Sequence, residues 1–189
     1  THENTSWDAA RFEVCAHKWV DLSETGYGVA LLNDCKYGYN TEGSTLKLTA
    51  LKAGTYPNPE ADQGRHTFSY ALLPHSGSLQ EAGVIREAYS FNQPLDSMAV
   101  SEAQGVLPEA FELVSCDANN IIVETVKKAE ADDSMIVRMY DAFNSRCVAT
   151  LTAAAGFRKV YLCDLMENEL SELPFDGKTV SVPVKNFEI

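Results

Sequence analysis

The sequence predicts an all-β fold, an antiparallel β-sandwich with one short helix. Two observations support this prediction. Apolar and polar side chains alternate with a period of two through most of the 189 residues, as in half-buried strands. Clusters of Asp, Asn and Gly separate these segments at regular intervals, as turns do in sandwiches. Apolar residues make up 45% of the chain, which is enough to form a core in one large domain or two small ones.

In the first half, alternation predicts three strands, and one further strand is predicted by a continuous apolar run. The run from Val29 to Leu32 is apolar at every position, which is typical of a strand buried on both faces. The Asn, Asp and Gly residues of segment 33–43 then predict a chain reversal. The alternating segments are residues 11–20, 44–52 and 66–74.

One helix is predicted over residues 78–89. Ser78 is followed three residues later by Glu81, which is the signature of a capping box, and apolar residues recur after it at helical spacing. Residues 93–107 are rich in Pro, Gly, Ser and Gln and show little periodicity, so we expect a connection there. The predicted domains are therefore residues 1–92 and residues 108–189.

The second half predicts a series of short strands with turns between them. Residues 117–120 and 130–133 supply Asp and Asn, which suit tight turns. Their regular spacing favours an antiparallel sandwich. The predicted strands are residues 111–115, 120–128, 134–141, 146–151, 159–164, 179–184 and 187–189.

Composition argues against several classes of partner. The formal net charge is −12, whereas broad binding to nucleic acid or to anionic lipid requires clustered Lys and Arg. No apolar run reaches the roughly 20 residues that span a bilayer. We therefore expect no nucleic acid and no membrane as partners.

The cysteines and the first residues bear on the setting of the protein. The five cysteines are widely spaced and include no CxxC pair, so we interpret them as reduced packing residues of a cytoplasmic protein. The chain starts without Met and lacks a signal-peptide core. We interpret it as an internal part of a longer protein.

Two segments carry side chains suited to binding. Lys36, Tyr37 and Tyr39 follow the apolar run and could contact a sugar, although they also suit the end of a strand. Asp62 and His66 lie in a loop with Arg65 after two prolines, and could share a proton or bind a metal. Zinc needs three or four ligands, however, and the histidines show no metal-binding spacing.

Nucleophile-elbow, dinucleotide and phosphate-loop motifs are also lacking in the sequence. We expect no catalytic residue and no metal site in this chain.

Longer strings carry a resemblance to a known family. These are NTSWDAARFEVCAHKWVDLSETGYGVALLNDCKYGYNTEG, LTALKAG, EADQGRHTFSYALLPHSG, REAYSFNQPL, IIVETVKKAEADDSMIVRMYDAFNSR and YLCDLMENEL. Together they resemble the C-terminal β region of glycoside hydrolase family 38 α-mannosidases, in particular the cytosolic-type branch. The resemblance covers nearly the whole chain.

The resemblance implies a plan for the parent protein. A zinc-bearing β/α barrel and a helical bundle would precede the β-sandwich domains, and a barrel Asp would carry out retaining hydrolysis of α-mannosides. Residues 1–92 would complete a large galactose-mutarotase-like sandwich, and residues 108–189 would form the smaller C-terminal sandwich. Zinc or another divalent metal is expected only in the barrel, so this chain is predicted to be inactive alone.

The resemblance also implies partners and rim contacts. The expected partners are an α-mannoside or mannose-containing oligosaccharide bound by the parent enzyme, the upstream barrel and helical domains, and a second copy in a homo-oligomer. Loops of the large sandwich reach the pocket rim in this family, and Lys52 in LTALKAG lies where many members carry Arg. The candidate substrate-binding residues are Lys52, Asp34, Lys36, Asp62 and His66.

Two other functions stay open from the sequence. One is an autonomous carbohydrate-binding module without hydrolytic activity, which would need an exposed aromatic platform formed by Trp19, Tyr37 and Tyr39. Trp19 lies in an alternating segment, where core packing is the commoner role. The other is an assembly domain that makes no sugar contact.

Overall fold

The computed structural model describes residues 6–10, 13–101, 105–106 and 108–189. The chain divides into two compact units, Thr1–Met98 and Ala99–Ile189. Most of the regular structure is antiparallel β, and one helix is longer than a single turn. The predicted all-β class with one short helix is confirmed. The domain limits at residues 92 and 108 stay a prediction.

The described residues of the first unit contain two three-stranded antiparallel sheets and two helices. One sheet has the strand order β1-β4-β5 and the other has the order β2-β3-β6. The elements are α1 Ser6–Ala9, β1 Val14–Cys15, β2 Trp19–Glu24, β3 Tyr27–Asn33, β4 Gly38–Glu42, β5 Thr45–Leu48, β6 Tyr70–Ser76 and α2 Val84–Asn92.

Strand β3 is the centre of its sheet, as its continuous apolar run predicts. It pairs with β2 on one side and with β6 on the other. Ala30 and Leu32 project from one face and pack against Val84 and Ala88 of α2. The helix therefore covers one face of this sheet, and the core of the first unit lies between them.

The strand predicted over residues 11–20 is wrong as a single element. Residues 11 and 12 lie outside the described residues. Beyond them the chain forms β1 and then breaks at Lys18, whose φ of 66° is left-handed, a conformation that no strand residue adopts. The segments 44–52 and 66–74 also shift, because regular pairing covers only Thr45–Leu48 and Tyr70–Ser76.

The predicted capping box forms, but the helix starts later than predicted. The Ser78 main-chain N–H donates to Glu81 Oε2 at 2.9 Å, and the Glu81 N–H donates to Ser78 Oγ at 3.3 Å. This box closes a turn rather than a helix, because Gly83 then adopts a left-handed φ of 68°. Helix α2 begins at the next residue, Val84.

The second unit contains a four-stranded sheet of order β13-β14-β10-β7 and two hairpins, β8-β9 and β11-β12. Its core cluster is made by Ile121 with Ala149, Leu151 and alternate residues of the last strand. The strands are β7 Val114–Cys116, β8 Ile121–Lys128, β9 Met135–Asp141, β10 Cys147–Ala153, β11 Tyr161–Cys163, β12 Glu169–Glu172, β13 Phe175–Asp176 and β14 Thr179–Val184.

Several features of the second unit differ from the prediction. The strand predicted over residues 111–115 is shifted, because β7 covers only Val114–Cys116. Residues 187–189 form no strand, because Phe187 has a left-handed φ of 53° and lies in a turn. Strands β12 and β13 were not predicted. Every residue of β12 and β13 is exposed, so neither strand carries the alternation that marks a half-buried strand.

Candidate functional site

Asp34 and Lys36 lie in the loop after β3 and contact the segment before β6. The Ser69 N–H donates to Asp34 Oδ2 at 2.9 Å, and the Asp34 N–H donates to the Ser69 carbonyl at 3.3 Å. Lys36 Nζ lies 5.0 Å from the centroid of the Phe68 ring. The structure therefore brings two of the candidate residues together at one end of the β2-β3-β6 sheet.

The electrostatics of this loop favour an ionised Asp34. Hydrogen bonds from the Cys35 side chain and the Ser69 main chain hold the pKa of the Asp34 carboxyl below its ordinary value, and the small desolvation does not reverse this. The Lys36 N–H donates to Asn33 Oδ1 at 2.8 Å and orders the turn. The loop thus presents an ionised carboxylate that hydrogen bonds hold in place.

Asp62 and His66 meet through the main chain and not through the carboxylate. His66 Nε2 donates to the Asp62 carbonyl oxygen at 2.7 Å, and both residues are exposed. Asp62 has a left-handed φ of 55°. This cluster is a loop-closing contact, and it does not form the proton-sharing carboxylate–imidazole pair considered from the sequence.

Lys52 lies apart from these groups. Its side chain is 81% exposed, and its Nζ is 3.9 Å from Glu13 Oε2. Lys52 lies near Glu13, whereas Asp34 and Lys36 contact Ser69 and Phe68. The structure therefore does not gather the candidate residues into one cluster.

The three aromatic residues proposed for a sugar platform do not share a surface. Trp19 packs against the cluster between α2 and its sheet. Tyr39 is fully buried, its hydroxyl accepts a hydrogen bond from the Asn33 side chain, and burial raises its pKa to about 12. Tyr37 alone of the three is markedly exposed, and its ring packs 4.6 Å from the His17 ring. This arrangement lacks the platform that a carbohydrate-binding module needs.

The side chains present do not fit a metal. No group of three or more His, Cys, Asp or Glu side chains converges anywhere in the described part of the chain, and zinc needs at least three protein ligands. The five cysteines, all among the described residues, form no disulfide, and Cys15 and Cys35 are exposed and not packed as predicted. None of the helices in the described ranges has the length and hydropathy to cross a bilayer.

Sequence reasoning missed one buried polar pair. His75 on β6 and Asp21 on β2 lie on the face under α2, with Nε2 3.0 Å from Oδ1 and both side chains at least 96% buried. The pair spans β3 at Gly28, where an added Cβ would lie 2.5 Å from the His75 ring. The signal in the sequence is that glycine, because a glycine inside a strand often marks a close approach.

These observations define the class of the protein. It is a β-sheet scaffold with polar side chains spread over its loops, and no group of three or more potential metal ligands converges in its described residues.

Comparisons with known proteins identify the family. The family model for the glycosyl hydrolases family 38 C-terminal domain matches residues 1–60, and that for the glycosyl hydrolases family 38 C-terminal beta sandwich domain matches residues 120–189. The chain is 49% identical over 171 residues to Alpha-mannosidase 2C1 of Homo sapiens and 42% identical over 174 residues to Alpha-mannosidase G of Dictyostelium discoideum. Each match covers 88% of this chain and 16% of the relative.

A solved structure supports the fold. The crystal structure of an alpha-mannosidase from Enterococcus faecalis V583 superposes with a TM-score of 0.74 at 20% identity, over 93% of this chain and 20% of that one. The chain belongs to glycoside hydrolase family 38 and corresponds to the C-terminal β-sandwich region of that family. It spans about one-sixth of the length of the curated relatives it matches.

Proposed function

We propose that residues 1–189 are the C-terminal β-sandwich part of an α-mannosidase, and that they stabilise the catalytic part without taking part in bond cleavage. The observation that carries the proposal is the match of both halves to family 38 C-terminal domains, in a chain whose described residues hold no metal-binding group. The parent enzyme would hydrolyse α-mannosides with retention, and zinc or another divalent metal would bind in its barrel. We also propose a cytoplasmic location and the domain limits 1–92 and 108–189.

Exposed apolar side chains on one sheet face support a packing role. On the sheet of β2, β3 and β6, Ala71 and Leu73 face α2, whereas Leu72 projects from the opposite face and is 65% exposed. Tyr27 and Tyr70 lie on that same opposite face by strand parity and are also exposed. Exposed apolar patches of this kind usually mark a contact with other protein. The upstream domains of the parent, or a second copy of the chain, would cover it.

The loops of the first unit are proposed to contribute polar contacts at the rim of the parent's pocket. The support is chemical, because exposed ammonium and carboxylate groups can bind sugar hydroxyls. Lys52 has the most freedom to do so, since its ion pair with Glu13 is long and exposed. The other rim candidates are Asp34, Lys36, Asp62 and His66.

Kinetics of the longer polypeptide test this proposal. It is expected to hydrolyse an aryl α-mannoside, and Lys52→Ala is expected to lower kcat/KM by roughly threefold to tenfold, the loss of one exposed hydrogen bond. Lys47→Ala is the matched control, because Lys47 is also exposed and paired with a glutamate, Glu42, at 3.2 Å. It should leave kcat/KM unchanged.

Three outcomes would count against parts of the proposal. A longer polypeptide without activity on α-mannosides would contradict the assigned function. An unchanged kcat/KM in Lys52→Ala would indicate an assembly domain without sugar contact. Saturable quenching of Trp fluorescence when mannosides are added to residues 1–189 alone would favour a carbohydrate-binding module.

A further inference from the structure

The sheet formed by β2, β3 and β6 has two outer edges, and they differ in what they can bind. An outer edge strand presents unpaired N–H and C=O groups that can pair with another strand. In the described part of the chain, no strand pairs with the outer edge of β2 or with that of β6. The register of the sheet shows which main-chain groups point outward on each side.

On β2, the outward groups belong to Asp21 and Ser23. The Asn33 N–H donates to the Lys18 carbonyl at 3.0 Å, and hydrogen-bonded pairs alternate with non-bonded pairs in an antiparallel ladder. By this alternation, Asp21 and Ser23 form the non-bonded pairs with β3. Their N–H and C=O groups therefore face away from the sheet, and this edge can accept a strand.

On β6, proline weakens the corresponding edge. The Gly77 N–H donates to the Gly26 carbonyl at 2.9 Å, so the alternation turns the main-chain groups of Pro74 and Ser76 outward. Pro74 has no N–H to donate, and proline is one of the ways in which natural sheets protect an edge. The outer edge of β6 is therefore poorly suited to pair with a further strand.

The side chain of Asp21 adds a requirement on whatever pairs with β2. The Asp21 side chain is 3% exposed, whereas the residue as a whole is only half-buried. The exposed surface of Asp21 therefore belongs to its main chain. Its Oδ1 receives the His75 ring N–H, but its Oδ2 is buried and has no hydrogen-bond partner within the described residues. A buried carboxylate oxygen without a donor is costly.

We propose that β2 pairs with a further β-strand of the same polypeptide, contributed from outside residues 1–189, and that this strand places a hydrogen-bond donor beside Asp21. A residue directly opposite Asp21 would have its Cβ within about 5 Å of the Asp21 Cβ, which is close enough for a Ser, Thr, Asn or Lys side chain to reach Oδ2. The matched relatives are long enough to contain such a strand outside the aligned region, because that region is only 16% of each relative. The inference rests on the proposed function, since it requires a longer polypeptide of this family.

Hydrogen exchange of the full-length polypeptide, resolved to single amides, tests the pairing. The Asp21 and Ser23 amides are expected to exchange roughly 100-fold more slowly than the Leu72 and Ser76 amides, which face outward from β6. The Leu22 amide, bonded to β3, is the reference for full protection. Fast exchange at Asp21 and Ser23 would overturn the proposal. Protection lost on dilution would also overturn it, because the pairing strand would then come from a second copy.

A pair of proline variants gives a second readout. Ser23→Pro and Ser76→Pro each remove one outward N–H from an exposed serine, on β2 and β6 respectively. In the full-length polypeptide, Ser23→Pro is expected to lower Tm by roughly 3 °C or more than Ser76→Pro does. Equal effects would overturn the proposal. Activity on α-mannosides is measured separately, so a failed pairing can be told apart from a failed function.

Discussion

Asp141 illustrates how one residue can organise a loop-rich unit. Its buried carboxylate accepts hydrogen bonds from the main-chain N–H groups of Phe143, Ser145 and Phe187 and from the Asn120 side chain, at 2.8 to 3.2 Å. Burial by itself raises the pKa of Asp141, but these donors outweigh it and hold the pKa below its ordinary value. The ionised form therefore ties the C-terminal turn to the end of β9.

We expect Asp141→Asn to reduce the free energy of unfolding by about 1–3 kcal/mol at neutral pH, because an amide cannot accept from all four donors. The folded pKa is depressed, so the contribution of Asp141 is present above the unfolded pKa of about 4 and is lost as pH falls through the folded pKa. The difference between wild type and variant should therefore shrink below about pH 4. Urea unfolding at several pH values measures it.

Asp132→Asn serves as the control for that experiment. Asp132 is exposed and accepts the Ser134 N–H at 2.7 Å within a surface turn. Asp132→Asn should lower the free energy of unfolding less than Asp141→Asn does, because solvent can replace the lost hydrogen bond. Equal losses in the two variants would contradict the role assigned to Asp141.

At this scale the sequence identified residue types but not their partners. The turn at residues 117–120 was predicted from Asp and Asn, whereas the convergence of Asn120 and Phe187 on Asp141 was not. The His75–Asp21 pair was missed for the same reason, since 54 residues separate its members. Contacts between distant positions depend on how strands align, and the local pattern does not contain that information.

Helix α2 shows how a single glycine sets an element boundary. Gly83 has a left-handed φ of 68°, and open space surrounds the position where a Cβ would be. Val84 and Ala88 of the helix that follows are fully buried against β3. The glycine therefore turns the chain from the capping-box turn into a helix whose apolar side faces the sheet.

Gly83→Ala is expected to destabilise the chain by about 1 kcal/mol, because an L-residue with a Cβ is strained in the left-handed region. Steric overlap should not increase this loss of stability, since no atom lies near the position of the added Cβ. Gly83→Asn should cost less, because Asn tolerates this conformation better than Ala. Thermal unfolding of the two variants measures the difference, and an Ala variant as stable as wild type would show that the residue is free to leave this conformation.

Strands were predicted well where burial imposes a pattern and poorly where it does not. The continuous apolar run of β3 and the alternation of β14 both correspond to observed strands. The predicted strand at residues 11–20 breaks at Lys18, because a turn there directs β1 and β2 into different sheets. Strands β12 and β13 are held by pairing alone, so their exposed residues carry no periodic signal.

For the molecule as a whole, the apolar face marked by Tyr27, Tyr70 and Leu72 predicts self-association when residues 1–189 are produced alone. The expected cause is burial of that face between copies in place of the parent's other domains. Leu72→Lys should shift light scattering towards the monomer, because a charge there opposes burial. Leu170→Lys is the control, since Leu170 is also exposed but belongs to the second unit. A wild-type chain that is strictly monomeric and highly soluble would contradict this prediction.

The sequence by itself determined the all-β class, the order of most strands, the lack of catalytic motifs and the family of the protein. These properties follow from local periodicity, turn chemistry and residue identity along a continuous string. Only the tertiary structure decided that Asp34 and Lys36 meet residues 68–69, that Trp19 packs against a core cluster and Tyr39 is buried, and that no strand among the described residues pairs with the outer edge of β2. Those outcomes depend on strand register and on which faces become covered, and both are set by contacts between residues far apart in the chain.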